Sequence, residues 1–152
     1  MTERVDFYVL KNAAAKQRWL FACRLTEKAY LRDLRIVIVN ATLADAKELD
    51  DLLWTFNERS FIPHQICLDG QSIDPSTPIH LTLESTATPA ADLLVNLAPG
   101  LPAQLTQYPR IAEIIDADEE RRRLGRERFK AYRDLKFTLE THQIDDVAGA
   151  YG

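Results

Sequence analysis

Glycine is scarce in this chain, and the few present are badly placed for a nucleotide. The 152 residues hold five, Gly70, Gly100, Gly125, Gly149 and Gly152, and none forms a GxG pair. GKT and GKS are also missing, so the sequence has neither a dinucleotide fingerprint nor a Walker loop. Histidine is equally thin. His64, His80 and His142 stand apart, with no HExxH and no Cys/His spacing suited to zinc. No serine sits in GxSxG. The two cysteines, Cys23 and Cys67, lack CxxC spacing and read as buried, reduced thiols of a cytoplasmic protein. No apolar run approaches a membrane span. Thr2 to Asp6 is polar and charged, so no secretory leader is expected. The expectation is a protein that is not itself an enzyme and needs no cofactor, metal or membrane.

A basic excess is absent too. The formal net charge is -4 and the sequence pI about 5.4, which argues against a dedicated nucleic-acid binder. Apolar residues make up 46%, enough for one domain with a real core. Carboxylates gather at Asp45, Glu48, Asp50 and Asp51, and again at Asp116, Asp118, Glu119 and Glu120. Helix capping and solvation account for both groups without catalysis.

What is present alternates strand and helix. Val5 to Leu10 (VDFYVL) is β-rich, and Asn12 to Leu34 has helical periodicity through Trp19, Leu20, Cys23, Tyr30, Leu31 and Leu34. Ile36 to Val39 is the unbroken β-branched run of a strand covered on both faces. Thr42 caps a helix with the apolar stripe Leu43, Ala46, Leu49, Leu53 and Phe56. Gln65 to Leu68, Ile79 to Leu83, Asp92 to Leu97 and Arg110 to Asp116 read as further strands, and Leu101 to Tyr108 as a short helix. This order predicts a single α/β domain over 1–137. Its central sheet should be largely parallel and flanked by helices, in a nucleotide-binding-like topology without a nucleotide site. Residues 138–152 turn polar and small and are expected to be a partly frayed tail.

The densest signal is Asp116 to Phe137, DADEERRRLGRERFKAYRDLKF. Asp118 is a candidate N-cap, and the acidic start and basic end suit the helix dipole. At about 100° per residue, Leu124, Ala131, Tyr132 and Leu135 share a side that can bury. Phe129 lies roughly 140° from Leu124, outside that stripe, on a face shared with Arg122, Arg126 and Arg133. An aromatic ring among guanidinium groups suits an acidic peptide with an apolar end, because arginine pairs a carboxylate bidentately. The rival is direct single-stranded DNA binding through Arg121, Arg122, Arg123, Arg126 and Lys130. A second aromatic cluster, Trp54 and Phe61 with Pro63 and His64, is either a completion of the core under a loop or a hydrophobic docking surface. His64 is either a loop hydrogen-bonding residue or a rim contact.

Four stretches together resemble the chi subunit family of bacterial DNA polymerase III. They are FYVL (Phe7 to Leu10), LDDLLWTFNERSFIPH (Leu49 to His64), DLLVNL (Asp92 to Leu97) and RERFKAYRDLKF (Arg126 to Phe137). The resemblance implies an accessory, non-catalytic role in DNA replication and an α/β fold without nucleotide. It implies two partners: the psi subunit, which ties the family to the clamp loader, and the acidic C-terminal tail of single-stranded-DNA-binding protein, which ends in an apolar residue with a free carboxylate. DNA contact would be indirect. The family's tail-binding basic positions match Arg122 and Arg126, and its pocket aromatic matches Phe129, with Lys130 and Arg133 nearby. Its psi-facing aromatics match Trp54 and Phe61, beside Pro63 and His64, and in some members that surface takes a helicase. The loop from Asp116 to Arg121 is shorter than in well-known members, leaving Ile115 and Ala117 as candidates for the pocket's apolar wall.

Overall fold

A computed structural model describes residues 4–11, 15–57, 59, 61–68, 74, 76–84, 90–103 and 105–145. The elements run β1 (Arg4–Leu10), α1 (Ala15–Tyr30), β2 (Ile36–Asn40), α2 (Leu43–Thr55), β3 (His64–Ile66), β4 (Ile79–Leu83) and β5 (Leu93–Asn96). A 3-10 turn (Leu105–Gln107), β6 (Arg110–Ile115), α3 (Glu119–Asp134) and β7 (Thr138–Ile144) complete the order. Seven strands form one sheet in the order β3-β4-β2-β5-β6-β1-β7, and every pairing is parallel. The α/β architecture expected from the alternation is therefore the one observed.

Strand alternation divides the core between the two sheet faces. Ile36, Ile38, Ile79, Leu81, Leu93, Val95, Ala112 and Ile114 point to one face, beneath Phe21, Ala22 and Leu25 of α1 and Leu49 and Leu53 of α2. Val5, Phe7, Val37, Val39, Leu94, Ile111 and Ile115 point to the other, beneath Tyr132 and Phe129 of α3 with Tyr108 beside them. Central β2 is buried at all five positions, which is why its sequence shows no alternation. Thr42 caps α2 by accepting from the Asp45 amide at 3.1 Å, and Asp118 caps α3 by accepting from the Arg121 amide at 2.9 Å.

Two expectations need correction. Residues 138–144, expected to fray, form strand β7, paired along its whole length with β1 from Arg4↔Thr138 to Leu10↔Ile144. The turn into it is a Schellman cap. Lys136 takes φ 66°, its amide donates to Arg133 O, and the Phe137 amide donates to Tyr132 O. The Phe137 and Tyr132 rings pack across the turn at 6.0 Å. The remainder of the expected tail, 146–152, lies outside the described residues.

The second correction concerns α3. Its buried residues are Gly125, Arg128 and Tyr132, whereas Leu124 and Ala131 are half-buried and Leu135 is 54% exposed. The helix is seated by a polar contact that no apolar stripe reveals. Glu113 on β6 is fully buried and accepts from Arg128 Nε at 3.0 Å, Asn96 Nδ2 at 2.9 Å and the Tyr132 hydroxyl at 2.7 Å. Arg128 Nη1 also donates to Pro99 O at 2.7 Å. Burial pushes the Glu113 carboxyl above its ordinary value, against the opposing pull of Arg128.

Candidate functional site

Beside the β1–β7 edge, α3 and the sheet enclose a concavity of about 200 Å³. Alternation sets its floor. Phe7 and Val9 of β1 and Ile115 of β6 face α3, and Thr141 of β7 closes the outer side. From above come Arg122, Gly125, Arg126 and Phe129, which the helical repeat brings to one face. Gly125 lets the helix approach closely: a methyl there would collide with Ile115 Cδ1. Of the two candidates for the apolar wall, Ile115 lines the concavity; Ala117 is not part of the lining.

The Phe129 ring is half-buried, not free in solvent as its position on the helical wheel implies. It meets the Phe7 ring edge-on, with centroids 5.1 Å apart. One side of the ring completes the core and another lines the opening. The pocket is thus apolar at its base, and its cations stand on the rim.

The arginines differ sharply in what they are free to do. Arg121 is held by Asp116, with contacts of 2.8 and 2.6 Å. Asp116 is fully buried and also accepts from the Asp118 amide, so it is a structural anchor and not the solvated carboxylate expected. Arg123 is spread between Glu120 and Glu127. Arg122 donates Nε to Asp116 O at 2.9 Å, which fixes its stem beside the opening while its charge meets no carboxylate among the described residues. Arg126 is exposed and makes no hydrogen bond or ion pair among the described residues. Lys130 and Arg133, also expected at the site, are exposed but do not line the pocket. Among the described residues the Arg133 side chain reaches only Asp134, at 4.0 Å.

The second predicted cluster lies at the end of α2. Trp54 is 41% and Phe61 75% exposed, with rings 5.2 Å apart, so they form a surface ridge and do not tuck under a loop. His64 is not a rim contact. Its side chain is buried, Nδ1 lies 2.7 Å from Ile62 O, and Nε2 lies 3.0 Å from an Asp50 carboxylate oxygen. It supports Trp54 from beneath at 4.1 Å, and Pro63 is half-buried beside it.

The sequence reading missed Phe7, Val9, Thr141 and Gly125 as pocket residues. The odd-numbered positions of β1 carried the signal for the first two, but no local pattern places β7 beside β1. His142 and Glu140 of β7 join Asp6, Arg4 and Arg110 in a charged cluster at the same edge. The described residues Asp6, Glu140 and His142 have donor atoms close enough to hold a cation. However, Asp6 already accepts from Arg4, Arg110 and His142, which leaves its carboxylate occupied.

Comparison with known proteins adds findings of three kinds. The sequence model for "DNA polymerase III chi subunit, HolC" matches residues 1–140. The DNA polymerase III subunit chi of Pseudomonas aeruginosa is 33% identical over 144 residues, covering 95% of this chain and 99% of the relative. That of Escherichia coli is 24% identical over 147 residues, covering 91% and 97%. Among solved structures, an S. cerevisiae Dbp5 bound to Gle1 and IP6 superposes with a TM-score of 0.64 at 16% identity, covering 94% of this chain and 42% of that one. Domain 2 of the Mss116p DEAD-box helicase, bound to an RNA duplex, gives 0.61 at 12% identity, covering 93% and 65%. At such identity the helicase likeness establishes the fold alone.

Proposed function

The chain belongs to the DNA polymerase III chi subunit family, an accessory subunit of the replicase, and on that premise we propose that its α3 pocket takes the C-terminal tail of single-stranded-DNA-binding protein. One observation carries the reading. An apolar concavity between Phe7 of the sheet and Phe129 of α3 has, on its rim, an arginine with no partner among the described residues. A tail ending in an aromatic residue would bury its ring against Phe129, and its terminal carboxylate would meet the Arg126 and Arg122 guanidiniums. The acidic residues before it would run over the outer face of α3, where Lys130 and Arg133 stand. The exposed Trp54–Phe61 ridge is the proposed seat of the psi subunit, or of a helicase where one competes for it, since exposed aromatic pairs suit interface hot spots.

This is tethering. The replicase stays close to single-stranded DNA already coated by protein, without competing for that DNA. Each contact is modest, and several tails per coat assembly raise the effective concentration. Direct DNA binding is less well supported. Of the five cations it would use, Arg121 and Arg123 are already neutralised by Asp116, Glu120 and Glu127.

Calorimetric titration with a peptide ending Asp-Ile-Pro-Phe tests the reading. Arg126→Ala should weaken binding by about 1.5–3 kcal/mol, the range for a hydrogen bond to a charged group. Amidating the peptide terminus should weaken it comparably, with little further loss in the variant. Unchanged affinity in both arms would sink the assignment, and a gel shift on naked single-stranded DNA reports on the rival.

A further inference from the structure

A second cavity of about 200 Å³ opens at the carboxyl ends of β2, β5 and β6, between α1 on one face and α3 on the other. In parallel α/β sheets this is the place where ligands bind. The sequence excludes a glycine-rich phosphate loop here, and nothing in the tail-binding reading uses this cavity.

Three arginines line it, and they are unequal. Arg121 is committed to Asp116 and Arg128 to Glu113. Arg18 of α1 is different. It is only 8% exposed, its Nη1 donates to Leu97 O at 3.1 Å, and its Nε is buried without a partner. It makes no ion pair with any carboxylate among the described residues, although Asp45 lines the same cavity. Burial lowers its pKa to about 10, so it stays charged at neutral pH. Asp116 and Asp45 favour its charge from a distance while Arg121 and Arg128 oppose it, and a buried guanidinium with a spare donor and no ion pair of its own is costly unless something neutralises it.

We propose that this cavity is a binding site for a small tetrahedral oxyanion of the phosphate class, held by Arg18 with Arg121 and Arg128 as the flanking cationic wall. The size sets the class. Pockets for drug-sized ligands run to roughly 300–1,000 Å³. About 200 Å³ admits a lone oxyanion but not a nucleoside with its phosphates. Asp45, the carboxylate on the cavity wall, works against the anion and limits its affinity.

Thermal unfolding of the full chain, with inorganic phosphate titrated against chloride at constant ionic strength, tests this. The midpoint should rise saturably with phosphate. Adenosine triphosphate at equal concentration should give less than half that shift. Arg18→Gln should abolish the phosphate response. Because Arg18 is buried and the variant could fail to fold, Asp45→Asn supplies an independent arm. It should lower the phosphate concentration for half-response at least threefold. The proposal is overturned by a wild-type protein with no saturable response. It is equally overturned by a folded Arg18→Gln that keeps the full shift, by an Asp45→Asn that leaves the half-response unchanged, or by triphosphate matching phosphate.

Discussion

Replacing Arg128 with methionine is the sharpest test of how α3 is held over its pocket. Arg128 is 7% exposed and Glu113 is fully buried. Removing the guanidinium leaves a carboxylate inside the sheet–helix interface with, among the described residues, only Asn96 and Tyr132 to solvate it. Breaking a buried pair from one side costs about 3–5 kcal/mol, a large share of the roughly 5–15 kcal/mol that keeps a domain folded. The loss should depend on pH. Burial already raises the Glu113 carboxyl above its ordinary value of 4.5, so the folded state favours the protonated form. Stability from such a group is full below the unfolded value and falls as pH rises through the folded one. Without Arg128 that folded value climbs further, so the variant's deficit should grow with pH, by at most about 1.4 kcal/mol per unit. Urea titrations of both proteins at pH 6 and pH 8 measure it. Adding Glu113→Gln, which removes the charge but keeps an acceptor for Tyr132 and Asn96, should recover most of the loss at pH 8. A single variant costing under about 1 kcal/mol, or a deficit that grows nowhere as pH rises above the ordinary glutamate value of 4.5, would refute the buried-pair reasoning.

Three further outcomes are expected. Gly125→Ala drives a methyl into Ile115 Cδ1, which should cost about 1–3 kcal/mol of stability and weaken tail-peptide binding, read by urea unfolding and calorimetry. Trp54→Ala with Phe61→Ala should change stability little, because both rings are exposed, while psi-subunit binding in a pull-down is lost and tail-peptide affinity is kept. Burial opposes ionisation of Asp6, but hydrogen bonds from Arg4, His142 and Arg110 outweigh it and hold its pKa below the ordinary 3.8. Its contribution is therefore present above that value and lost as pH falls through the folded one. Asp6→Asn should be less stable at neutral pH and should lose less on acidification to pH 2 by circular dichroism.

Much of the sheet was legible because its signals are local. The IVIV run of β2, the caps at Thr42 and Asp118, and the exact β4 span Ile79 to Leu83 all follow from residue type and spacing. The misses share a cause: stability supplied by a distant partner. β7 is mostly polar and mostly exposed, and it is a strand because β1 offers a full row of hydrogen-bonding groups. The usual mark of its preceding turn, a glycine after the helix, is missing because Lys136 adopts the left-handed conformation instead. The buried face of α3 was misread because Arg128 looks like a surface residue until Glu113, 15 positions away, is placed beneath it. The rim of the pocket could be read from one helix, since Arg122, Arg126 and Phe129 are helical neighbours. Its floor could not, since Phe7, Ile115 and Thr141 come from three strands.

The arginine run also shows why charge counts mislead. Eight cationic residues lie between Arg121 and Lys136, which by itself suggests a polyanion surface. The structure commits three of the eight to close carboxylate partners. Arg121 fastens the start of α3 to Asp116, Arg128 fastens its middle to Glu113, and Arg123 is balanced by Glu120 and Glu127. The first two set the height of the helix over the sheet and therefore the width of the pocket. Arg126 and Arg122 then stand at its mouth with charge no carboxylate among the described residues neutralises. A polymer of phosphates needs many free cations in a row, because its affinity grows with the number of charges neutralised. A single chain terminus needs two beside an apolar hole. On α3, acidic residues take up the charge of Arg121, Arg123 and Arg128, while Arg122 and Arg126 flank the apolar concavity, an arrangement that suits the proposed chain terminus better than a polyanion.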